Sequence, residues 1–155
     1  MRFAGLLGVG LLFAGLAWPS AAVVVTDEHG AVRWRAPVGD GTSVVLQYTH
    51  SLYLAPTWEQ FVVRGGRLHL REISSTREAV LEYNRLAPPY RWDGPVVAAT
   101  VPGIVLDTLA LRVGERGRPV LHVGGTVLPL YQAGVGTGLR VAVRQAPRVL
   151  TWLRR

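Results

Sequence analysis

Two neighbouring runs, SVVLQYTH (residues 43–50) and TWEQFVVRGGRLHLREI (residues 57–73), decide the fold. In the second, Leu68 and Leu70 alternate with Arg67, His69 and Arg71, the two-residue repeat of a strand with one buried face. Gly65-Gly66 separates that repeat from the apolar run before it, and a tight hairpin turn needs two residues that tolerate positive φ. The pattern continues outward in both directions. Glycine and proline clusters at 39–41, 88–89, 93–95, 102–103, 114–119, 124–125 and 134–138 interrupt it. Strands are expected over 31–35, 43–50, 57–64, 67–73, 96–101, 105–113, 120–123, 127–131 and 139–145. One short helix is expected within 75–84, with Ala79, Val80 and Tyr83 on a common face. Eight or nine regularly spaced strands with one helix predict an all-β domain over 23–145, an antiparallel β-sandwich or small barrel.

Composition agrees with a folded chain: 155 residues, 49% hydrophobic and 17% charged. All seventeen basic residues are arginine, which excludes Schiff-base lysines, phosphate-loop lysines and lysine general bases. Without cysteine there is no disulfide, thiolate nucleophile or cysteine-ligated metal. Nothing in the sequence implies a cofactor.

Residues 1–22 read as a secretory signal. Arg2 precedes an uncharged apolar run, Pro19 breaks its helix, and Ser20 and Ala22 are small residues suited to cleavage after Ala22. The alternative is an uncleaved anchor, because residues 3–25 carry no charge and a span needs about 20 apolar residues. Both readings place the domain outside the cytoplasm, in the periplasm or at the extracytoplasmic membrane surface.

The net charge of +7 is uneven. Residues 112–155 hold eight arginines and a single acid, Glu115. In the run 139–145, Arg140 and Arg144 alternate with Leu139, Val141 and Val143, so the two arginines face away from the core. Arg148, Arg154 and Arg155 carry the charge into a basic tail over 146–155, where Trp152 and Leu153 suit a membrane interface. A solvated face with a basic end is the plain reading of this set, and contact with an anionic membrane surface or an acidic partner is the functional one. Nucleic acid is not expected, since export removes the chain from it and Trp152 is the one aromatic residue placed for base stacking within the 139–155 stretch.

Pairing across the 50–57 connection would set His50 opposite residue 58 or 59 and bring His50 and Glu59 together. A carboxylate there would raise the histidine pKa and orient its ring. Structural satisfaction of a hairpin, recognition of a ligand or partner, and catalysis are the three roles open to such a pair. Ser51 adjoins His50, but neighbouring residues of a strand face opposite ways. His29, His50, His69 and His122, with Glu59 and Glu72, lack the close spacing of a preformed metal motif, so a site would have to assemble across strands. Gly134 to Gly138 resembles a phosphate loop, yet it precedes a strand and lacks lysine, which favours a turn.

Thr49-His50-Ser51, then Trp58-Glu59-Gln60-Phe61, then Gly66-Arg67-Leu68-His69-Leu70-Arg71-Glu72 resemble the domain-of-unknown-function eighteen-fifty family of small exported prokaryotic proteins. The likeness extends through 109–112, 121–123 and 128–131. It maps the family motif onto His50, Ser51, Glu59 and Glu72 as recognition residues. Where the family has a Gly-Ala-Gly-like loop, this chain reads Ser74-Ser75-Thr76-Arg77-Glu78-Ala79, so a pocket shaped by that loop would be altered. Such proteins are often encoded beside TAXI-type TRAP solute transporters, and the resemblance implies a transporter subunit as partner. Three functions follow as expectations: a non-enzymatic accessory or recognition module of a transporter, an extracytoplasmic metal-assisted hydrolase centred on His50 and Glu59, and a basic membrane-surface binding protein.

Overall fold

The computed structural model describes residues 19–147. Residues 1–18 of the expected leader and Arg148, Arg154 and Arg155 of the expected basic tail lie outside the described residues. Strands β1 (Pro19–Asp27) and β2 (Val32–Val38) are followed by β3 (Ser43–Thr49), β4 (Pro56–Arg64) and β5 (Arg67–Ser75). After helix α1 (Glu78–Tyr83) come β6 (Arg91–Asp93), β7 (Val96–Thr100), β8 (Val105–Leu106) and β9 (Leu109–Arg112). The described residues close with β10 (Val120–Val123), β11 (Thr126–Leu128), a 3-10 turn at Leu130–Ala133 and β12 (Gly138–Pro147).

These strands form two antiparallel sheets packed as a sandwich. The smaller has the order β2-β1-β12-β9, and the larger the order β11-β10-β3-β4-β5-β7-β6 with β8 beside β5. Between them lies one apolar layer. Val23, Val25, Leu139 and Val141 of the smaller sheet share it with Val44, Phe61, Leu68 and Leu121 of the larger. All-β architecture and the expected core strands therefore hold.

Strand β6 was not expected, the expected strand over 127–131 is shortened to β11 and a 3-10 turn, and three further elements differ from the sequence reading. β1 occupies the stretch assigned to the end of the leader, and a cut after Ala22 would divide it. Its residues Ala22 to Val25 are buried on both faces, so it shows a continuous apolar run in place of alternation. The expected strand over 105–113 is two strands, because the chain leaves the larger sheet after Leu106 and joins the smaller at Leu109. In α1 the buried residues are Val80 and Leu81, whereas Tyr83 is 61% exposed. Six residues make too few turns for the periodicity to fix a face.

Local chemistry sets the turns. Asp27 accepts backbone N–H bonds from His29 (3.0 Å) and Ala31 (2.9 Å), which directs β1 into β2. Between Val25 and Thr26 the β1–β2 register shifts, leaving Arg33 as an unpaired bulge residue on the outer strand. Further along β2, Pro37 lacks a donor for any strand beyond it. The β4–β5 hairpin turns at Gly65 and Gly66, with φ of 54° and 74°. A Cβ at Gly66 would meet nothing within 4 Å, so backbone conformation alone is the obstacle there. Gly66→Val should lower unfolding free energy by about 1–2 kcal/mol in urea titrations, the cost of a left-handed conformation for a substituted residue.

Candidate functional site

Across β3 and β4 the register pairs Leu46 with Glu59, Tyr48 with Thr57 and Thr49 with Pro56. Glu59 also stands opposite Ile73 of β5. Directly opposed residues share a sheet face, and Leu46, Thr57 and Ile73 are all buried. Glu59 is thus a carboxylate on the inner face of the larger sheet.

It is accommodated because the smaller sheet ends at β9 and leaves a cleft of about 600 Å³. Leu46, Tyr48 and Glu59 line it from the larger sheet, and the four consecutive residues of β9 line it from the smaller. The loop from Gly114 to Gly117 supplies another wall, fixed by a 2.8 Å bond from the Thr49 N–H to the Gly117 carbonyl. His50, Ser51, Tyr83 and Asn84 also line it, with Thr49 and Pro119. The volume lies in the range of small-ligand sites.

Within the cleft the Tyr48 hydroxyl donates to Glu59 Oε1 at 2.9 Å. Loss of water around the carboxyl group raises the Glu59 pKa, and the Tyr48 hydrogen bond opposes part of that rise. The same desolvation, with the neighbouring negative charge, pushes the Tyr48 hydroxyl far up, so it stays a donor.

His50 and Glu59 both border the cleft, but the register does not set them opposite each other as expected and no hydrogen bond joins them. Strand pairing closes at Thr49–Pro56, and His50 falls in the connection. There its N–H donates to the Ala55 carbonyl (2.9 Å) and its carbonyl accepts from Leu54 (2.8 Å), while Leu54 takes a φ of 51°. This compact closure shortens the loop and moves residue 50 away from residues 58 and 59. The buried imidazole instead packs on Tyr53 at 5.2 Å and edge-on to Tyr83 at 5.1 Å between centroids. The Tyr53 N–H reaches His50 Nδ1 at 3.4 Å, which leaves the neutral ring with its proton on Nε2. Burial lowers the His50 pKa, the opposite of the rise that a carboxylate partner would cause.

Ser51 is exposed at the edge of the cleft. Glu72 lies on the other face of the larger sheet, where Gln60 Nε2 (3.1 Å) and Arg91 Nη2 (2.9 Å) occupy its two oxygens. His29 is exposed in the β1–β2 turn, and His122 Nε2 lies 3.2 Å from Gln47 Oε1 on the outer surface. No group of three or more histidine, aspartate or glutamate side chains is positioned to hold a metal among the described residues. Arg140 and Arg144 are exposed on the outer face of the smaller sheet, opposite the inward Leu139 and Val141. The glycine-rich 134–138 segment forms the turn into β12. In place of the family-like glycine loop, Ser75 closes β5 with its hydroxyl bonded to the Pro56 carbonyl at 2.8 Å.

The sequence did not mark Tyr48, Tyr83 or the residues of β9 as part of a site. Tyr48 was accessible from the alternation Val44, Leu46, Tyr48; the meeting of β9 with the cleft depends on the crossing between sheets. No protein-family model matches the chain, and no curated protein or solved structure is significantly similar to it.

Glu59 and His50 set opposite pH slopes. A raised Glu59 pKa means that the folded state holds a proton the unfolded chain has released, so its contribution to stability is full below the ordinary carboxylate pKa. That contribution is lost as pH rises through the folded value. A lowered His50 pKa makes stability fall as pH drops below the ordinary histidine value. Urea unfolding from pH 4 to 8 (roughly the range in which both groups titrate) should show Glu59→Gln removing the first slope and His50→Gln the second.

Proposed function

We propose that this protein is an exported, non-enzymatic recognition module that serves a TRAP-type solute transporter. The observation that carries the recognition reading is the cleft at the end of the smaller sheet, with a half-buried carboxyl group at Glu59 and aromatic rings beside it. Such a concavity, in which leucine and tyrosine side chains sit beside convergent polar and charged groups, suits selective binding. Binding is favoured over catalysis because no hydrogen bond joins any two of His50, Ser51 and Glu59 among the described residues. His50 Nδ1 already accepts from Tyr53, and Glu59 accepts from Tyr48. A nucleophile and its base need direct contact. Transporter association rests on the family resemblance of the 43–73 and later strands.

Affinity purification of the full chain from native membranes is expected to recover a permease or its solute-binding protein, and deletion of the gene to slow solute uptake. Recovery of neither, with unchanged uptake, would end this reading.

A second role is compatible with the first. Arg140 and Arg144 project together from the outer face of the smaller sheet, a placement suited to anionic headgroups. Exposed charges are screened within about 8 Å at physiological ionic strength. Binding to phosphatidylglycerol vesicles should therefore weaken with added salt and in Arg140→Gln/Arg144→Gln. Equal binding to neutral vesicles would refute it.

A further inference from the structure

We propose that the free edge of β9 accepts an extended polypeptide segment as a fifth strand of the smaller sheet, with a lysine or arginine side chain of that segment reaching Glu59. This deepens the recognition reading and rests on it.

The backbone supplies the first argument. β9 pairs only with β12, in the register Arg112–Gly138, Leu111–Leu139, Ala110–Arg140 and Leu109–Val141. Beyond its end, the Val113 N–H donates to the Thr137 carbonyl at 2.9 Å. Bonding direction alternates along an antiparallel strand, so Leu111 and Leu109 also bond toward β12. The N–H and C=O groups of Ala110 and Arg112 then point the other way. Neither residue has a backbone partner on that side among the described residues. All four residues of β9 border the cleft, which places this open edge in the cavity and not on a remote rim.

The floor supplies the second. Side chains of an added strand alternate between faces, and those turned inward would meet Leu46, Tyr48 and Glu59. Leu46 and the ring of Tyr48 accept an apolar stem, while the Glu59 carboxyl has one hydrogen bond, from Tyr48, and acceptor capacity to spare. A cationic donor at the end of a long side chain is the complement of that floor. Of the two arginines that line the cleft, Arg112 has its guanidinium turned to the Gly136 carbonyl, and Arg116 is next to a second lining acid, Glu115.

The test uses the full chain and a positional library of N-acetylated, C-amidated pentapeptides, read by fluorescence anisotropy and amide hydrogen exchange. Lysine or arginine should be selected at one inward position. Bound peptide should slow exchange at Ala110 and Arg112 by about tenfold or more, as for amides newly paired in a sheet. Glu59→Gln should weaken a lysine peptide about tenfold and leave its norleucine analogue unchanged, the loss expected for one charge-assisted bond. Ala110→Pro removes an edge donor unused by β12, so it should abolish binding while circular dichroism stays native. If lysine amide alone binds as tightly as the pentapeptides, strand addition is refuted and the recognition cleft stands. No saturable binding by any pentapeptide, unchanged exchange in β9, or prior protection of Ala110 in a dimer of this chain would each overturn the proposal. Transporter pull-down and uptake report on the broader reading independently.

Discussion

The apolar layer between two sheets of unequal width is the constraint from which the rest follows. Burial of such a layer drives folding at about 25 cal/mol per Å² of apolar surface removed from water. Here it can be completed only where both sheets are present. β1 and β12, paired over nine residues, sit at the centre of the smaller sheet and close that layer. β9 is four residues long and ends the sheet while β3 and β4 continue beneath. The cleft is what a sandwich leaves when one slice is narrower than the other, and the loop after β9 frames it without filling it.

A carboxyl group on an inner face is costly without partners. Glu59 is tolerated because the cleft admits water to part of it and Tyr48 binds one oxygen. Its position contrasts with Glu72, which lies thirteen positions later on the opposite face and is satisfied by Gln60 and Arg91. One acid is committed to holding the surface together; the other retains unused acceptor capacity facing a cavity.

Much of the fold was legible in the sequence because one-sided strands advertise themselves. Leu68 and Leu70 alternate with polar neighbours, and Gly65-Gly66 marks the turn between β4 and β5. β1 was hidden for the converse reason: Ala22 to Val25 are buried on both faces, and they continue the uncharged apolar run that begins at residue 3, which carries no period. At the site, the residue types were legible and their register was not. His50 and Glu59 do border one cavity, but which residues oppose each other depends on how tightly the chain closes between Thr49 and Pro56, and positive φ at Leu54 is not encoded in an alternating pattern. The contribution of β9 was the least accessible, since two residues, Asp107 and Thr108, carry the chain from one sheet to the other.

The outer strand β2 is equipped against lateral growth: Arg33 disrupts its ladder at the bulge and Pro37 withholds a donor. β9 carries neither device. For the smaller sheet, adhesion is therefore one-sided. Filaments built by stacking sheets edge to edge require every unit to pair through both flanks, and with β2 blunted this sheet has one flank left for that purpose.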